Sequence, residues 1–193
     1  MSEPRHLASL ERAEALAQDG RLDEAARLCD AVLAEAAEDA AALNLKGFCL
    51  AAGGRPAEAL PFFKRARLHL PTYPAIRYNL GKALEETGDA AGALAEYDEV
   101  LRLDGGHAGA RRSRAALRAL SGDESGAAAD FDELLRREPE DARGFFLRGA
   151  WRLSAGRFRE SLPDLERALA LDPELRPEIE ALVARAKETF GGA

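Results

Sequence analysis

Apolar residues recur at intervals of three and four along the chain, on both sides of a glycine that returns every 34 residues, at Gly20, Gly54, Gly88, Gly122 and Gly156. Such intervals put the apolar side chains on one face of a helix. Each unit therefore predicts two amphipathic helices joined by a short turn. The glycine ends the first helix, where a left-handed backbone costs this residue least. Acidic residues such as Asp23, Glu24, Asp89, Asp123 and Glu124 open second helices, where they complement the helix dipole. Pro71, Pro139 and Pro173 close second helices, because proline neither continues a helix interior nor leaves its predecessor free to be helical. Pro61 and Pro163 fall inside second helices, at one register, and predict tolerated kinks rather than a site.

A second periodic set pairs small residues with large ones. Ala13, Gly47, Gly81, Ala115 and Gly149 lie on first helices and face Ala25, Ala59, Ala93, Ala127 and Ser161 on second helices. One turn later come Cys29, Phe63, Tyr97, Phe131 and Leu165, which predicts a small-beside-large interlock within each helix pair. A fixed period of this length marks a solenoid whose neighbouring repeats share a core. Residues 176–190 read as a closing helix, with Ile179, Leu182, Val183, Ala186 and Phe190 on one side, to cover the open end of the array.

Composition narrows the function class. The chain is 47% hydrophobic and 32% charged, with no apolar run of the roughly 18 residues that a membrane span requires. The start, Met1-Ser2-Glu3-Pro4-Arg5-His6, lacks the pattern of a secretory leader, and the expected location is cytoplasmic. Net charge is −7, which disfavours nucleic acid as a partner. By repeat the balance of Lys and Arg against Asp and Glu runs −6, +4, −4, −2 and +1, a mixed surface rather than one steering field. Cys29 and Cys49 sit on apolar helix faces without metal-site spacing, as buried reduced thiols or a regulatory disulfide. His6, His69 and His107 lie far apart and read as surface or turn residues. No nucleophile motif, phosphate loop, dinucleotide fingerprint or metalloprotease motif is present, so neither an enzyme nor a cofactor or metal is expected.

At several positions the chain resembles the tetratricopeptide repeat family. The clearest copies are Leu43, Gly47, Leu50, Ala59, Phe63, Ala66 and Pro71, then Leu80, Gly81, Leu84, Ala93, Tyr97 and Val100. A further copy carries Phe145, Gly149, Ser161, Leu165, Ala168 and Pro173. The resemblance implies an all-α, right-handed α-solenoid of five antiparallel hairpins, at residues 6–39, 40–73, 74–107, 108–141 and 142–175, followed by the closing helix. Where the family buries aliphatic or aromatic residues, the fourth and fifth repeats carry Arg111, Arg114 and Arg118, and Arg148 and Arg152. Asp130 and Asp164 follow Arg114 and Arg148 by 16 residues, and the resemblance implies internal ion pairs, with a functional patch as the alternative. Arg111 has no such partner by spacing and is expected to be exposed.

The resemblance also implies an inner face lined by first helices. Carried onto this chain, it includes Leu7, Leu10, Asn44, Phe48, Tyr78, Lys82, Arg112, Arg143 and Phe146, and Asn79 lies beside them. Aromatic and arginine side chains are frequent interface anchors, although these rings are also placed to pack between repeats. Together these residues imply a non-catalytic scaffold or adaptor that holds a peptide or helix of another protein, with apolar and some acidic side chains. A client-specific chaperone or assembly factor is the alternative, and self-association through Leu7 and Leu10 is a third reading. The family's set of Lys, Asn and Arg that grips a terminal carboxylate is matched only by Asn79, or by Arg143 in the last frame, so that mode is not expected.

Overall fold

The computed structural model describes residues 3–190, with side chains from His6 to Thr189. Met1 and Ser2, on which the reading of the leader partly rests, and the Phe190 side chain of the closing helix lie outside the described residues. Every regular element among the described residues is helical, and the fold class is an α-solenoid of helical hairpins. Contacts gather into two units, residues 1–106 and 107–193.

The first unit contains α1 (Glu3–Gln18), α2 (Leu22–Glu35), α3 (Ala40–Ala52), α4 (Pro56–His69), α5 (Pro74–Glu86) and α6 (Ala90–Leu103). Each helix packs on the next, and α1 and α3, like α3 and α5, also touch. The second unit contains α7 (Ala108–Leu120), α8 (Glu124–Arg137), α9 (Ala142–Ser154) and α10 (Phe158–Leu171). A 3-10 turn, Pro173–Leu175, then leads into α11 (Arg176–Phe190). Here α7 and α11 both touch α9. Helix α1 starts three residues before the predicted repeat boundary, since a period locates recurrence and not the first turn of the first helix.

The turn after each first helix has one construction. Gly20 is left-handed at φ +76°, its N–H donates to Ala17 O at 3.1 Å, and Arg21 N–H reaches back to Leu16 O at 2.8 Å. This pair of bonds satisfies carbonyls that a helix end leaves open. Gly54, Gly88, Gly122 and Gly156 are also left-handed, with the same bonding pattern.

Four of the second helices start in one of two ways. Asp89 and Asp123 cap α6 and α8 by accepting from Gly92 N–H and Gly126 N–H, each at 2.9 Å. At α2 and α4 the preceding residue is an arginine, and Arg21 and Arg55 instead form two-pronged pairs with Glu24 and Glu58. Pro61 and Pro163 both stand inside helices that continue past them.

The small-beside-large interlock is tight. A Cβ placed on Gly47 would come within 2.7 Å of the Phe63 ring, one on Gly81 within 2.6 Å of Tyr97, and one on Gly149 within 2.8 Å of Leu165. The large residue, more than the alanine four positions before it, sets how closely the two helices approach. Phe63, Tyr97 and Phe131 are almost wholly buried, and so are Ala59, Ala93 and Ala127.

Candidate functional site

In the first unit, α1, α3 and α5 line a concavity of about 330 Å³ with Glu14, Gln18, Asn44, Phe48 and Asn79. Phe48 is 41% exposed, although it lies in a helix whose neighbours Gly47 and Cys49 are buried. Asn79 Nδ2 donates to Asn44 Oδ1 at 3.1 Å and so links α5 to α3. Tyr78 is half-buried, with its ring 6.0 Å from that of Tyr97, inside its own hairpin. Lys82 Nζ meets Glu85 Oε2 at 3.2 Å, and the Tyr97 hydroxyl donates to the same oxygen at 2.6 Å.

In the second unit, Arg112 is tied to Asp141 by Nε at 2.9 Å and Nη2 at 2.7 Å. The other oxygen of Asp141 caps α9 by accepting from Gly144 N–H at 2.9 Å. Arg143 reaches Glu178 of α11 at 2.7 Å, with its guanidinium 4.7 Å from the Phe146 ring centre. Phe146 is only 8% exposed, because Ile179, Leu182, Val183 and Ala186 of α11 pack into the cluster that it shares with Leu153 and Leu165. Its place on an open surface is therefore corrected: the last helix covers it as a further repeat would. The acidic component of the expected partner rested on Lys82, Arg112 and Arg143, and each of these cations already holds a carboxylate.

Sequence reasoning gave little weight to a second concavity. Ala116, Ala119, Leu120, Leu147, Ala150 and Trp151 of α7 and α9 line about 270 Å³ of mostly apolar space. Leu120 is 85% exposed at its edge. Trp151 stacks on Phe131 at 5.8 Å with its indole under the Arg157 guanidinium. The available signal was the run of alanines on the inner register, which leaves space beside any large neighbour.

The arginines of the fourth and fifth repeats are internal. Arg114 holds Asp130 through Nε at 2.8 Å and Nη2 at 2.5 Å, and Arg118 adds a third bond at 2.9 Å. Arg148 grips Asp164 in the same way, at 2.9 and 2.7 Å, with Arg152 at 2.7 Å. Both aspartates are 3% exposed. Arg111 departs from expectation, since its side chain is 12% exposed and lies 3.9 Å from Asp130. Its position one turn before Arg114 puts it on the same buried face.

Glu96 is a third buried carboxylate, 6% exposed, paired with Arg67 and with Arg77 at 2.8 Å. Sequence reasoning missed it, yet Glu96, Asp130 and Asp164 stand 34 residues apart. Their shared register was the signal. Leu80, not an arginine, stands 16 residues before Glu96.

Cys29 and Cys49 are buried free thiols. Burial pushes the Cys29 thiol up to about 12 and raises that of Cys49, so both are held in the unreactive protonated form. His6 and His69 face Glu35 and Glu38 at 3.0 and 2.9 Å, and His107 caps α7 by accepting from Ala110 N–H. Leu10 is 9% exposed and packs with Val32 and Ala42, which leaves Leu7, at 61%, as the exposed member of the pair suggested for self-association. No helix among the described residues is long and apolar enough to cross a membrane.

Two sequence families, each described as a tetratricopeptide repeat, match the chain, one over residues 50–117 and the other over residues 2–40 and 10–74. No curated protein sequence matches it. Among solved structures, a thermophilic tetratricopeptide repeat protein of Thermus thermophilus is 23% identical, with a TM-score of 0.75 over 93% of this chain and 99% of that one. YrrB, described as a tetratricopeptide repeat protein with an unusual peptide-binding site, is 21% identical, with a TM-score of 0.72 over 93% and 90%. MamA is 18% identical, with a TM-score of 0.75 over 92% and 96%. With the repeat turns, the interlocked hairpins and the sequence matches in agreement, the chain belongs to the tetratricopeptide repeat family.

Proposed function

We propose that this protein is a non-catalytic protein–protein interaction scaffold whose first helices dock a segment of a partner protein. The observation that carries the reading is Phe48, a large aromatic left 41% exposed at a concavity that also offers the amides of Asn44 and Asn79. Helix α3 buries Ala42, Leu43, Cys49 and Leu50 among its neighbours and leaves much of this ring in water, where that area gains nothing for the fold. The apolar concavity beside Leu120 supports the same use of the second unit. The peptide-binding site described for YrrB belongs to a protein of like fold and supports a peptide as the ligand class.

Exposed residues permit a clean test. Phe48→Ser and Leu120→Ser remove contact area without opening the core, so the melting temperature stays within about 2 °C of the native value, as for surface changes within roughly 0.5 kcal/mol. Affinity capture with the native protein recovers specific partners, and capture with the double variant loses them. Equal recovery by native protein and variant overturns the reading.

A further inference from the structure

Resting on the reading that the first unit docks a partner, we propose that its inner concavity takes an extended peptide segment with a Lys or Arg beside an apolar side chain. Charge, hydrogen-bonding capacity and the exposed ring each contribute to this assignment.

Charge sets the sign. Residues 1–106 carry 12 Lys and Arg against 18 Asp and Glu, a net −6. Along the inner register the one lysine, Lys82, is held by Glu85. Glu14 lines the concavity, is exposed, and forms no ion pair with any described residue. The uncompensated charge at this site is therefore negative. A basic side chain would gain from it, whereas an acidic one would face Glu14 directly.

Hydrogen-bonding capacity selects the backbone state. With one Nδ2 hydrogen of Asn79 donated to Asn44 Oδ1, Asn79 retains a carbonyl oxygen and a second N–H, and Asn44 retains both of its N–H donors. These groups match the N–H and C=O of a peptide unit. A helical ligand has used its own backbone groups everywhere but at its ends, so an extended segment is the one that can engage them along its length.

Phe48 then supplies a face for the neighbouring side chain. An aliphatic chain gains by burial, and the stem of Lys or Arg can lie along the ring with its cation toward Glu14.

The test presents the full-length protein to an array of ten-residue synthetic peptides of random composition. Expected is enrichment of peptides with Lys or Arg next to Leu, Ile, Val or an aromatic residue. Glu14→Gln should weaken the best of these about fivefold, the scale of an exposed charge pair. Asn79→Ala should weaken them by a similar factor, and Glu14→Lys should reverse the preference toward acidic peptides. Circular dichroism checks that each variant keeps its helix content. Enrichment of acidic or uncharged peptides whose binding falls with Phe48→Ser overturns the basic-segment inference and leaves the docking reading standing. An array with no bound peptide overturns both for this unit, and basic peptides unaffected by Glu14→Gln overturn the inference alone.

Discussion

Gly81 and Gly122 are both required, for opposite reasons. Gly81 is helical, and any Cβ there would sit 2.6 Å from the ring of Tyr97, which is fully buried and anchored through its hydroxyl to Glu85. The ring has no room to withdraw, so Gly81→Ala should cost about 1–3 kcal/mol through overpacking. Gly122 has open space where a Cβ would go, but its φ of +81° strains an L side chain by about 1–2 kcal/mol. Asparagine tolerates the left-handed region better than alanine does. Urea unfolding should therefore show Gly122→Asn recovering much of what Gly122→Ala loses, with Gly81→Asn worse than Gly81→Ala. Recovery at position 81 would refute the packing explanation for that glycine.

Helix pairs in the second unit are joined by polar centres as well as by apolar ones. Asp164 on α10 sits between Arg148 and Arg152 of α9 and accepts hydrogen bonds from both. Removing only the carboxylate leaves Arg148 with Asp132 and Arg152 with Glu160, both exposed carboxylates, so the loss falls below the scale of about 3–5 kcal/mol for breaking a fully buried pair. Asp164→Ala should lower the denaturant midpoint accordingly. Replacing Arg148 and Arg152 with leucine in the same chain should restore part of the loss, because the remaining partners are then apolar. If the triple variant is no more stable than Asp164→Ala, the charge explanation fails. This centre was readable from the 16-residue spacing of Arg148 and Asp164, which spans one hairpin. Glu96 was not, since Leu80 stands 16 residues before it and its partners Arg67 and Arg77 stand 29 and 19 residues before it, the second at the spacing that Arg111 keeps to Asp130.

At the scale of the molecule, α11 serves as the last neighbour in the array. Ile179, Leu182, Val183 and Ala186 shield the apolar cluster of α9 and α10, including Phe146 and Leu153. Truncation after Pro173 would expose that cluster, at roughly 1 kcal/mol for each half-buried side chain lost. The shortened chain should melt at lower temperature and scatter more light at equal concentration. An unchanged melting curve would rule out the covering role.

Family, hairpin construction and the small-beside-large pairing are all readable in the amino-acid order, because each depends on local backbone demands or on one repeated spacing. A left-handed turn calls for glycine wherever it occurs, and a close helix approach calls for a small residue opposite a large one. Availability at the surface is a different kind of property. Phe146 occupies the register of an open face and is covered by α11, Leu10 is buried by α2 and α3, and Arg111 is drawn inward by Asp130. The inner-face charge also changes once partners are assigned, since Lys82, Arg112 and Arg143 each meet a carboxylate while Glu14 meets no cation among the described residues. A long side chain has several partners within reach, and its choice depends on distances across helices that no single spacing encodes.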